Sequence, residues 1–158
     1  MAIISQILGV WAEKRRVELI GKYHSMGLKA SGNFEKRTEI RNPNDYIVQI
    51  WAPDYTYFLV NGRQPNKNQD PQSLKKWVGW AGSTFLKDWV ESKGINVSPF
   101  AVAYKIARKG IPVPNAHNAG DLVSSVFTQY KIDELKDEIG QNYIIDLKSE
   151  IIKIWQQV

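Results

Sequence analysis

Three sets of side chains in this 158-residue chain have types and spacings that could do chemistry. The first is the run YTYFLVNGRQPNK, Tyr55 to Lys67. It sets two tyrosines, a Phe and a Leu against a Gly-Arg turn, with an Asn/Gln-rich loop behind. An aromatic cluster opening onto a basic loop could stack nucleic-acid bases, cradle a substrate or dock a protein. The second set is Trp77, Trp80 and Trp89, interleaved with Lys75, Lys76 and Lys87. Basic residues among aromatics bind single strands by stacking. The same tryptophans adjoin Val78 and Val90, which equally makes them packed apolar faces with lysines solvating the outside. The third set is acidic. Asp54 stands beside Tyr55 and Tyr57, where a carboxylate could serve as general acid or base or, more simply, cap a turn. Asp133-Glu134 and Asp137-Glu138 read as the solvated side of a helix.

Other chemistries have no footing. There is no cysteine, which removes disulfides, thiolate-bound zinc and thiol nucleophiles. The two histidines, His24 and His117, lack ligand-like spacing and read as surface or capping residues. Phosphate-cradling glycine loops, HExxH, GxSxG and calcium-loop patterns are absent from the sequence. No catalytic, cofactor-binding or metal-binding residue is therefore assigned, and the chain is expected not to be an enzyme. No apolar run reaches the roughly 18 residues of a membrane span. The start, MAIISQILGVWAEKRR, is apolar before it is basic, the reverse of a secretory signal, so no targeting segment is read there. The net charge is +5. Residues 131–158 hold four of the 21 basic and six of the 16 acidic residues, leaving 17 basic against 10 acidic in residues 1–130. That imbalance favours nucleic acid or an acidic protein surface without choosing between them.

These side chains have to be positioned by a fold. Ile4, Leu8, Trp11, Leu19, Tyr23 and Met26 predict an apolar stripe on a helix over 3–26, interrupted by the polar Glu13-Lys14-Arg15-Arg16 and stopped at Gly27. Residues 28–40 alternate between small or apolar and polar types, which predicts a half-buried strand. RNPND at 41–45 is a turn and Tyr46–Trp51 a second strand, antiparallel to the first. Residues 61–73 lack apolar side chains and read as an exposed loop about a dozen residues long. Ser73 caps a helical region that ends at Gly94. Within it LKKWV, from Leu74, recurs as LKDWV, from Leu86. On one continuous helix the copies would face about 120° apart, so a break at 79–84 is equally compatible. Ser98-Pro99 opens a helix to Lys109, with Phe100, Ala103, Tyr104 and Ala107 on one face. Asp121 reads as the cap of a short helix to Phe127. Ile132, Leu135, Ile139, Tyr143, Leu147 and Ile151 mark a last helix over 132–156. The fold class is α+β: an N-terminal helix, a small antiparallel β-hairpin sheet, and several helices including a long C-terminal one.

The ordered set YTYFLVNGRQP, PQSLKKWV, LKDWVESKGI and AVAYKIARKGI, between an N-terminal helix with a hairpin and a C-terminal helix, resembles a known family. It is similar to the head–tail connector and tail-completion (neck) proteins of tailed bacteriophages, of the HK97 gp10-like kind. The matching positions are Tyr55, Tyr57, Gly62, Arg63, Pro65, Trp89, Lys93, Gly94, Ile95, Ala103, Tyr104, Ile106, Ala107 and Arg108. The doubled Trp segment and the stretch beyond residue 115 depart from the pattern. The resemblance implies a connector-like α+β domain over 1–130 and a helical extension over 131–158, packing on it or on a neighbour. It implies a virion protein made in the bacterial host's cytoplasm and built into the neck, as a ring between portal and tail that lines or stabilises the DNA channel. Partners would be copies of itself and the portal or adjacent connector and tail proteins. Contact with packaged DNA would be non-specific; no membrane, cofactor or small-molecule substrate is implied. Under this reading the Tyr/Phe side of 55–61 buries against the helices while the Gly-Arg turn projects a loop to the next subunit. The interface candidates are Tyr55, Tyr57, Arg63, Gln64, Asn66, Lys67 and Arg108. Trp155 joins them as a large apolar residue near the chain end. The alternative is a basic, aromatic nucleic-acid-binding module.

Overall fold

The computed structural model describes residues 2–28, 32–65 and 86–155. Asn66, Lys67, Ser73, Trp77 and Trp80 lie outside the described residues. Six helices and one two-stranded sheet are described, an α+β arrangement with a long C-terminal helix: α1 (Ala2–Ser25), α2 (Asn33–Arg37), β1 (Glu39–Asn44), β2 (Ile47–Trp51), α3 (Thr56–Asn61), α4 (Leu86–Ser92), α5 (Pro99–Lys109) and α6 (Gln129–Trp155).

Helix α1 buries Ala12, Arg15, Leu19 and Tyr23. These positions step by three or four, so they form one face. The polar centre of the sequence thus contributes Arg15 to the buried stripe. Its charge is met by Glu18 at 2.9 Å and its guanidinium lies 5.7 Å from the Trp11 ring centroid. Gly27, at φ 66°, ends the helix as expected. Leu28 N–H reaches back to the Tyr23 carbonyl (3.4 Å), and the Leu28 side chain turns onto the core.

Over the described part of the alternation, 32–40, the chain is not one strand. Residues 33–37 make a helical turn, α2, and β1 begins only at Glu39. Phe34 and Thr38 explain the ambiguity. Four residues apart, they share a face in a strand and in a helix alike. Both are buried, and the Thr38 hydroxyl donates to the Phe34 carbonyl (2.6 Å), a bond available only to the helical turn. The hairpin also turns later than RNPND predicts. Asn44 still pairs with Ile47, so Asp45-Tyr46 is the turn, and Asn44 Oδ1 accepts the Tyr46 N–H (2.9 Å). Between the Arg41–Gln49 and Asn44–Ile47 pairs, Asn42 and Pro43 oppose Val48 alone. This bulge accommodates a proline that cannot donate to the ladder.

The core is Leu19, Tyr23, Phe34, Leu122 and Val126, flanked by Leu28, Ile50, Leu59, Val60 and Phe127 among others. Tyr23 and Phe34 stack with centroids 4.1 Å apart. Residues 121–127 are a chain of turns, not the short helix expected. They supply Leu122, fully buried, because Asp121 is anchored by Lys22 (2.7 Å) at one end and Phe127 meets Trp11 at the other. The segment therefore runs antiparallel to α1 and delivers the chain into α6. The first turn of α6 is tied to α1: the Trp11 indole N–H donates to the Lys131 carbonyl (3.2 Å), and Lys131 Nζ pairs with Glu18 (2.5 Å).

Candidate functional site

Helix α3 is a single turn and a half following Pro53 and Tyr55. Its length decides which side chains face out. Leu59 and Val60 pack on the core, whereas Tyr57 and Phe58 are 66% and 45% exposed and meet edge to face at 5.5 Å. The expectation that the Tyr/Phe side is buried is thus reversed: the adjacent aliphatic pair takes the core, and the aromatics are displayed. Tyr55 stands between, with its ring 6.3 Å from Phe34 and its hydroxyl held protonated to higher pH than usual by burial. Asp54 is exposed and its carbonyl accepts the Tyr57 N–H (3.2 Å), so its backbone serves the turn.

The Gly-Arg turn does not project freely. Arg63 and Ile111 form an antiparallel bridge, each N–H donating to the other's carbonyl at 2.8 Å. Gly62 and Gly110 flank the bridge at φ 73° and φ 69°. A Cβ on Gly62 would lie 2.4 Å from the Ile111 carbonyl oxygen, and one on Gly110 would lie 2.1 Å from the Arg63 oxygen. Two backbones approach here as closely as glycine permits. The NGR and RKGI motifs, nearly 50 positions apart, are thus the two halves of one clasp. The glycines are needed for backbone contact, and the turn is pinned to its own chain through Arg63. Gln64, which follows, is exposed.

The clasp gathers part of the expected interface. Arg63 is half-buried, with its guanidinium 5.7 Å from the Phe58 ring, and desolvation pulls its pKa below the usual value. Arg108, two residues before the clasp glycine, lies on the exposed face of α5 over the Tyr104 ring (5.6 Å), its Nη1 3.3 Å from the Tyr104 hydroxyl. Tyr104, Lys105, Arg108 and Lys109 line a shallow depression of about 440 Å³. The expected face of α5 divides in the same way as α3: Ala103 and Ala107 are buried, while Phe100 and Tyr104 are exposed. A third arginine–aromatic pair, Arg41 over Trp51 at 4.2 Å, decorates the hairpin. Trp155 ends α6, away from the clasp in sequence, and its side chain lies outside the described residues.

Sequence reasoning missed the outer face of α6. Ile132, Leu135 and Ile139 are half-buried as expected, but Tyr143 and Leu147 of the same stripe are 61% and 51% exposed. At that level the half-buried positions are Asn142 and Asp146. Ile144, Ile145 and Ile152 are also more than half exposed. The signal was available in NYIIDL, where four of five consecutive residues from Tyr143 are apolar, more than one side of a helix holds. Nothing in a periodicity count says how far a partner helix extends alongside. Among the described residues no group of three or more His, Asp or Glu is arranged to hold a metal ion, and no helix is long and apolar enough to cross a membrane. Comparison with family models, curated proteins and solved structures returned no match.

Proposed function

We propose that this chain is a structural subunit that assembles with copies of itself into a ring, of the kind that joins head to tail in the neck of a tailed bacteriophage. The observation that carries the assembly reading is the distal half of α6. Just under three turns display Tyr143, Ile144, Ile145, Leu147 and Ile152 to solvent, an apolar cluster of the sort that marks protein–protein contact. The displayed arginine–aromatic pairs at Phe58, Tyr104 and Trp51 add the residue types that dominate interface energetics. The specific neck assignment comes from the resemblance. It is consistent with the clasp, since the motif glycines and Arg63 form a framework and leave α5 and α6 to vary as contact surfaces. Portal or neighbouring neck proteins would nucleate the ring, with the isolated subunit associating weakly.

A nucleic-acid-binding reading draws on the same Tyr104, Lys105, Arg108 and Lys109 surface. The two separate in solution. A ring subunit yields ring-shaped particles by electron microscopy as concentration or a portal partner is raised, and takes its place in a map of an intact particle. A nucleic-acid module stays monomeric and binds single strands with an affinity that falls steeply with salt. Strictly monomeric protein with micromolar, salt-sensitive DNA binding would overturn the ring reading.

A further inference from the structure

The ring reading leaves open which surfaces meet; resting on that reading, we infer that the outer face of α6 of one copy docks on the α5 face of the next. The outer face of α6 is graded. Glu134, Glu138, Ile145 and Ile152 fall within about 40° of one another around the helix, with Asp137 and Ile144 alongside. Its first half is therefore acidic and its second half mainly apolar, with Gln141 and the exposed Lys148 on the same side. The exposed face of α5 carries the complementary gradient. Phe100 and Tyr104 come first, 41% and 48% exposed, and Lys105, Arg108 and Lys109 follow.

The two gradients match in length as well as in sign. From Asp137 to Ile145 is eight residues, and so is Phe100 to Arg108, about 12 Å on each helix. Laid antiparallel, one arrangement sets the carboxylates on the basic end and the isoleucines on the aromatic end together. Among the described residues Asp137, Glu138, Lys105 and Lys109 have no ion pair within their own chain, so their charges are available to a neighbour. The parallel arrangement would bury isoleucines under lysines. The occupant is a second copy for a further reason: residues 1–130 carry the basic excess and 131–158 the acidic one, so each copy presents both halves of the match. α6 is tied to α1, whereas α5 packs on α4. The contact therefore joins unlike surfaces, and unless two copies pair both contacts reciprocally about a two-fold it leaves one of each free and propagates head to tail, closing as a ring where the rotation allows.

The test uses the full chain, which has no cysteine of its own. With Phe100→Cys and Ile145→Cys in one protein, mild oxidation is expected to give a ladder of covalent oligomers, and Ile145→Cys alone to give none. A disulfide dimer from Ile145→Cys alone means α6 meets α6 and overturns the inference. Independently, Asp137→Lys with Glu138→Lys is expected to weaken self-association about tenfold in sedimentation at low salt, as is Lys105→Glu with Arg108→Glu. All four together are expected to restore it. All four positions are exposed, so folding should be unaffected; circular dichroism checks this. Association that ignores the reversals, or stays lost when they are combined, overturns the docking inference while leaving the ring reading standing. Wild-type protein that never associates, either alone at high concentration and low salt or with a portal partner added, overturns both.

Discussion

Replacing Gly110 by alanine tests whether the clasp holds the two motifs together. Gly110 has φ 69° and ψ −164°, a conformation reserved almost wholly for glycine. A side-chain carbon there would sit 2.1 Å from the Arg63 carbonyl oxygen, 3.0 Å from Pro65 N and 3.1 Å from Gln64 C, all backbone atoms that cannot rotate away. The backbone strain alone costs about 1–3 kcal/mol. Relieving the overlap separates the two strands of the bridge and weakens two hydrogen bonds worth about 0.5–1.5 kcal/mol each. The expected loss is about 3–5 kcal/mol, a large share of a typical stability of about 5–15 kcal/mol. At about 2–4 °C per kcal/mol for a chain of this size, the melting temperature falls by about 6–20 °C. Gly27→Ala is the control. Gly27 also has a positive φ, 66°, but open space within 4 Å of the added carbon, so only the conformational cost of about 1–2 kcal/mol applies. Urea and thermal unfolding followed by circular dichroism measure both. Equal losses for the two variants would show that the Gly110 approach contributes nothing beyond backbone conformation, and the clasp argument would fail.

Leu122→Ala removes a fully buried side chain from an irregular segment and should cost about 2–5 kcal/mol in urea unfolding, as a helical core leucine would. Arg15→Met should be neutral or stabilising in the same assay: Nε and Nη1 are buried without partners, and Glu18 keeps Lys131. Burial pushes the Tyr23 phenol above its ordinary value of 10.0, with Tyr55 and Glu35 adding to the shift. The fold thus favours the neutral phenol. Its contribution is fully present below about pH 10 and declines at higher pH. Melting temperature measured from pH 8 to 11 should fall above pH 10, and Tyr23→Phe should flatten that fall while lowering stability by about 1 kcal/mol through loss of the bond to the Leu28 carbonyl.

The α+β class, α1, its glycine stop, β2, α5 with its proline start, and the existence of α6 were legible in the sequence. Each is a local matter: periodicity, a cap or a breaker acts over four or five neighbouring residues. Where the local signal was degenerate it misled. Phe34 and Thr38 satisfy a strand and a helical turn equally, and only the packing of Phe34 on Tyr23 selects the turn. Leu122 and Val126 have a helix-like spacing but lie in a chain of turns, and their place in the core depends on Lys22 and Trp11, about 100 residues away. The candidate surface divides in the same way. The run of aromatics against a Gly-Arg turn marked Tyr57 and Arg63, and Arg108 entered only through the motif order that carried the resemblance. That Gly62 and Gly110 face each other across a backbone bridge is a contact between distant segments, which no local pattern encodes. The apolar excess of Tyr143–Leu147 was written in the sequence, but its exposure depends on which helix lies beside α6 and for how long, and only the tertiary structure decides that.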